Sequence, residues 1–80
     1  MSQNLLDEVR EIAADVFAVD PQTLRADSSP ERVDVWDSVQ HLNLVLALEA
    51  RYGIQFEPEE MDQMKNLGAI AELLKRKMRF

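Results

Sequence analysis

Between Asp37 and Gly53 runs the most apolar stretch of the chain, with Leu42, Leu44, Val45, Leu46, Ala47 and Leu48 almost contiguous. Wrapped as a helix, these side chains cover well over half the circumference, more than a surface helix needs. Such a helix either sits centrally among others or presents apolar groups to a partner, and core burial accounts for most of it. Its ends are marked. Asp37 is a good N-cap with Gln40 three residues on as a capping box, and Gly53 is a C-terminal stop. This places Ser38 at the first helical position, where unpaired N–H groups and the positive end of the macrodipole favour an attached phosphate. The plainer reading is an ordinary first-turn serine, and the tetrapeptide Trp36, Asp37, Ser38, Val39 leaves both open.

A second amphipathic pattern precedes it. Leu5, Leu6, Val9, Ile12, Ala13, Val16 and Phe17 recur at helical spacing, opposite Asp7, Glu8, Arg10, Glu11 and Asp15. Ser2 or Asn4 can cap this helix, and Asp20 before Pro21 ends it near Ala18. Residues 19–36 then form a long polar connection with two prolines, a length that is commonly functional or disordered. Leu24, Val33, Val35 and Trp36 are its expected anchors to the core. Trp36 either packs over the helix ends or shapes the surface beside Ser38.

Beyond Gly53, Pro58 fits the first position of a short helix, with Glu59 and Glu60 in its first turn and an end near Met64. So short an element depends on packing. Met61 and Met64 are core filler or the lining of an adaptable apolar site. Asn66 caps a last helix with Leu67, Ile70, Ala71, Leu74 and Met78 on its buried stripe, while Lys75, Arg76, Lys77 and Arg79 form a solvated basic end. The expected fold is all-α, a four-helix bundle of three longer helices and a short third, with the long loop between the first two. At 80 residues this is one domain, 1–80, with room for a single core and little for a catalytic cleft.

The chemistry open to it is narrow. A net charge of −6 disfavours nucleic acid and anionic membrane and suits electropositive protein partners. No run approaches the roughly 20 apolar residues of a membrane span, and the polar start Met1, Ser2, Gln3, Asn4 does not read as a signal peptide. The absence of cysteine removes thiolate chemistry and suits a reducing compartment, so a cytoplasmic monomer is expected. With one histidine and no calcium-loop spacing, no metal site is expected. Asp37, Ser38 and His41 invite a hydrolase reading, which fails. All three share one helical turn, Asp37 is used as a cap, no glycine elbow precedes the serine, and no oxyanion hole is in evidence. His41 shares a face with Ser38 and reads as an exposed helical histidine.

Asp37, Ser38 and Val39 opening the second helix, Leu42 and Leu44 within it, Glu49 near its end, then Ile54, Phe56, Glu59, Glu60 and Met61, together resemble an acyl carrier protein over nearly the whole chain. The resemblance implies a protein that is a substrate and not a catalyst. Ser38, flanked by Asp37, would accept 4'-phosphopantetheine from coenzyme A through a phosphopantetheinyl transferase, and the arm's thiol would carry acyl groups as thioesters. An ordinary serine without an activating base suits that role. By position, Val39, Leu46 and Met61 would be apolar and Glu49 and Glu60 acidic contacts for acyl- or aminoacyl-activating and transferring enzymes. Gln40 and Asn43 stand where fatty-acid carriers usually have acids, and Trp36 replaces a small residue, which points to a specialised pathway. Two alternatives remain, an aminoacyl or peptidyl carrier and an unmodified helical interaction module.

Overall fold

The computed structural model describes residues 4–78. Four helices follow in order, α1 Leu5–Phe17, α2 Ser38–Tyr52, α3 Pro58–Met61 and α4 Leu67–Lys77, with a short 3-10 turn Pro21–Thr23 after α1. The all-helical bundle matches the expected architecture. α1 packs against both α2 and α4. Its apolar stripe supplies Val9, Ala13 and Phe17 to a core completed by Leu44, Val45 and Leu48 of α2 and Leu67, Ile70, Leu73 and Leu74 of α4.

Asn4 caps α1, its Oδ1 accepting from the Asp7 N–H at 2.8 Å. The alternative cap, Ser2, and the basic residue Arg79 lie outside the described residues. α2 ends as its glycine dictates, with Gly53 in the left-handed region at φ 64°. Tyr52, in its last turn, donates its hydroxyl to Glu8 Oε1 at 2.7 Å and ties α2 to α1. Burial first, and then this bond to a carboxylate, push the Tyr52 hydroxyl up to about 12.

The long connection is not structureless. Leu24 and Trp36 are its buried anchors, Val33 is half-buried, and Val35, expected among them, is exposed. Its central part is bonded to the start of α4, because the Leu67 N–H donates to Ser28 O at 3.1 Å and the Gly68 N–H to Ala26 O at 2.8 Å. Ser28 is buried there, and its Oγ accepts from the Arg25 N–H at 2.8 Å. Helix N-termini leave such N–H groups unpaired, so the loop caps α4 through its backbone while Asn66 Oδ1 takes the Ala69 N–H at 2.7 Å.

α3 is shorter than the sequence suggests and stops at Met61 instead of Met64. The bonds Gln63 N–H to Glu60 O and Met64 N–H to Met61 O, at 3.0 and 3.1 Å, tighten its exit. Met64 turns into the core, and Asn66 must then leave helical geometry to cap α4. The basic end of α4 is only partly a solvated face. Lys77 is half-buried, with Nζ 2.9 Å from Glu60 Oε1, and Arg76 donates to Gln63 Oε1 at 2.9 Å. No helix among the described residues is long and apolar enough to cross a membrane.

Candidate functional site

The site is built where the long connection runs into α2. Trp36 is 2% exposed, and its ring centroid lies 5.3 Å from that of Phe17 in α1, so the indole fixes the loop's last residue to the core. The chain then turns sharply, with the Asp37 N–H donating to Val35 O at 3.0 Å. Asp37 Oδ1 accepts from the Gln40 N–H at 2.9 Å, and its backbone oxygen from the His41 N–H at 2.8 Å. Asp37 is therefore the N-cap, as expected. The reciprocal half of the capping box is absent, since the Asp37 N–H is taken by Val35, and Gln40 Oε1 instead accepts from Asn43 Nδ2 at 3.0 Å.

Ser38 opens α2 and is exposed. Among the described residues no acceptor takes the N–H groups of Ser38 or Val39, which leaves the positive end of the helix facing the serine. Beside it is an open depression of about 480 Å³ lined by Pro30, Trp36, Asp37, Ser38 and His41.

His41 departs from expectation. It is half-buried, its ring lies nearly parallel to the indole of Trp36 with an interplanar angle of 17°, and its Nδ1 accepts from the indole Nε1–H at 3.0 Å. Burial lowers its pKa from 6.5. An indole N–H only donates, so Nδ1 must be unprotonated and the ring proton of the neutral side chain resides on Nε2. A buried tryptophan five residues before a histidine was the signal for this pair, because a buried indole N–H needs an acceptor. The pairing also removes the hydrolase reading on structural grounds. His41 Nδ1 is taken by the indole, and Asp37 Oδ1 is committed to the helix end, so neither neighbour is arranged as an activating base for Ser38.

The remaining expected contact residues divide into two kinds. Val39 is 68% exposed, and Leu42 and Leu46 are each 54% exposed, forming an apolar stripe along α2 at helical spacing. Of the apolar run in this helix Leu44, Val45 and Leu48 are buried and Ala47 is half-buried, while Leu42 and Leu46 face outward. Met61 is half-buried against the core. Glu49 and Glu60 have internal duties. Glu49 Oε2 accepts from the Phe56 N–H at 2.8 Å, and Glu60 Oε1 accepts from the Glu57 N–H and from Lys77 Nζ.

The site is thus an exposed serine at the start of a helix in a four-helix domain. Residues 7–74 match the family model described as "Phosphopantetheine attachment site". The chain is 31% identical over 75 residues to an acyl carrier protein of Petrotoga mobilis, covering 92% of this chain and 87% of that protein. It is 27% identical over 74 residues to an acyl carrier protein of Thermosynechococcus vestitus, covering 92% and 91%. Among solved structures it is similar to the solution structure of a holo acyl carrier protein from Geobacter metallireducens, with a TM-score of 0.83, 37% identity, and coverage of 91% of this chain and 84% of that one. The chain belongs to the acyl carrier protein family. It is a carrier and not an enzyme, and its prosthetic group is 4'-phosphopantetheine. The residues present fit that group. An exposed hydroxyl, two open N–H groups and a depression with a polar wall at His41 lie together.

Proposed function

We propose that Ser38 is the residue that carries 4'-phosphopantetheine, within a single carrier domain spanning residues 1–80. The observation that supports this most is the exposed Ser38 at the first position of α2, beside the depression. A separate phosphopantetheinyl transferase would break the pyrophosphate bond of coenzyme A and join the pantetheine-bearing phosphorus to Ser38 Oγ as a phosphodiester, with adenosine 3',5'-bisphosphate leaving and the serine proton passing to a base of the transferase. The thiol at the arm's end then takes acyl groups as thioesters, and tethering raises their effective concentration at partner sites.

Partner enzymes that activate and transfer acyl groups would dock on α2. Val39 and Leu46 are suited to this by exposure, with Leu42 between them, and the half-buried Met61 would be a further apolar contact. Glu49 and Glu60 would contribute their remaining charge around that contact, which speeds encounter more than it tightens the complex. Early α2 carries the hydrogen-bonded pair Gln40 and Asn43 in place of acids, which supports service in a specialised biosynthetic pathway. The absence of cysteine and the net charge of −6 suit a cytoplasmic monomer. Incubation with coenzyme A and a broad-specificity phosphopantetheinyl transferase, followed by intact mass measurement, tests the reading. The wild-type protein should gain one phosphopantetheine and Ser38→Ala none. A protein that gains nothing would instead be an unmodified interaction module.

A further inference from the structure

The Trp36–His41 hydrogen bond does more than close the core, because it determines which face of the imidazole meets the solvent. With Nδ1 held by the buried indole N–H at 3.0 Å, the ring's proton lies on Nε2. That nitrogen has no hydrogen-bond partner among the described residues, and His41 is part of the wall of the depression that also contains Ser38. Residues three apart on a helix share a face, with Cβ atoms about 5–6 Å apart. A group attached to Ser38 Oγ therefore begins within side-chain reach of His41. Asp37 is the one other ionisable side chain lining the depression, and its carboxylate is engaged with the Gln40 N–H. Phe17, packed against Trp36, brings no charge. A donor is thus presented beside the serine, at the open end of a helix, with no acceptor of its own.

Resting on the reading of Ser38 as the attachment residue, we infer that His41 binds the root of the arm, donating from Nε2–H to the phosphodiester, and that Trp36 positions it by fixing the tautomer. The consequence is a balance at one side chain. The phosphodiester is an anion and favours the imidazolium, which would keep donating from Nε2. Protonation also puts a hydrogen on Nδ1, and the buried indole N–H then loses its acceptor. Attachment of the arm shifts this balance toward the charged ring, and deprotonation shifts it back. The root of the arm is therefore held more firmly at mildly acidic pH than above neutrality.

Nuclear magnetic resonance tests this on apo protein and on holo protein prepared enzymatically. In apo protein the His41 ring is expected as the Nε2–H tautomer. In holo protein its titration midpoint should move upward from the apo value. The phosphorus resonance should titrate with that same midpoint between about pH 5 and 8, a range in which the diester itself stays singly charged. In His41→Gln holo protein the phosphorus resonance should be flat across that range. Trp36→Phe, where it folds, should raise the His41 midpoint further by removing the indole N–H. An Nδ1–H tautomer overturns the inference, as does holo protein modified at Ser38 whose phosphorus signal does not follow His41. Failure to form holo protein, or modification on another residue, overturns the attachment reading itself and this inference with it.

Discussion

Nζ of Lys77, at the end of α4, lies 2.9 Å from Oε1 of Glu60 in α3 and 5.7 Å from the centroid of the Phe56 ring. Since α3 is only four residues long, it cannot persist on its own hydrogen bonds. Lys77 is accordingly a clamp on a marginal element. Lys77→Ala should accelerate amide exchange across residues 57–64 while leaving α1 unchanged, as read by hydrogen-exchange mass spectrometry. The Glu57 N–H and then Lys77 hold the Glu60 carboxyl below its usual 4.5. A carboxylate depressed in the folded state stabilises above its unfolded pKa and ceases to as pH falls through the folded one. Protection of this segment should therefore weaken on acidification below about pH 4.5.

The seam between the long connection and α4 depends on the absence of a side chain at Gly68. A Cβ there would lie 3.1 Å from the Ala26 carbonyl oxygen, which is the acceptor of the Gly68 N–H. Because that neighbour is backbone, Gly68→Val must push the loop away. A loss of about 1–3 kcal/mol is expected from urea unfolding, the range typical of overpacking.

The two kinds of leucine in α2 should separate cleanly in unfolding experiments. Leu48 is fully buried, so Leu48→Ala should cost about 2–5 kcal/mol, a large share of the stability of so small a domain. Leu46 is 54% exposed, and Leu46→Ala should change stability by no more than about 0.5 kcal/mol. Any effect of Leu46→Ala on transfer from a partner enzyme can then be read as docking.

His41 should leave a signature in the pH dependence of stability even without the arm. Burial lowers its folded-state pKa from 6.5, so the unfolded chain takes up the proton first. The contribution is complete above pH 6.5 and is lost as pH falls from there through the folded value. Urea midpoints for the apo protein should decline over that window, and His41→Gln, which removes the one histidine of the chain, should flatten the decline.

What could be read from the sequence was what local chemistry decides. Apolar spacing gave α1 its bounds from Leu5 to Phe17, Asp37 and Gly53 delimit α2 as their capping preferences require, and Asn66 caps α4. Ser38 at the first position of α2 followed from the same reasoning. The long-range pairings were hidden. Spacing alone does not reveal that Ser28 and Ala26 offer carbonyls to the start of α4, or that Lys77 leaves its basic cluster to reach Glu60 across 17 residues. The same limit applies to the apolar residues of α2, where periodicity could not decide which leucines face the core. His41 was misjudged for a different reason. Its partner Trp36 precedes the helix, so the pair does not obey helical spacing, and only the buried indole N–H, which must find an acceptor, betrays it.

The attachment residue is open to direct measurement, because trypsin should release residues 33–51 as one peptide in which Ser38 is the sole hydroxyl-bearing side chain. After incubation with coenzyme A and a phosphopantetheinyl transferase, tandem mass spectrometry should find the phosphopantetheine on that peptide alone, with nothing added to Ser38→Ala. An arm on residues 26–32, which carry Ser28 and Ser29, or no addition to the wild-type protein, would contradict the account.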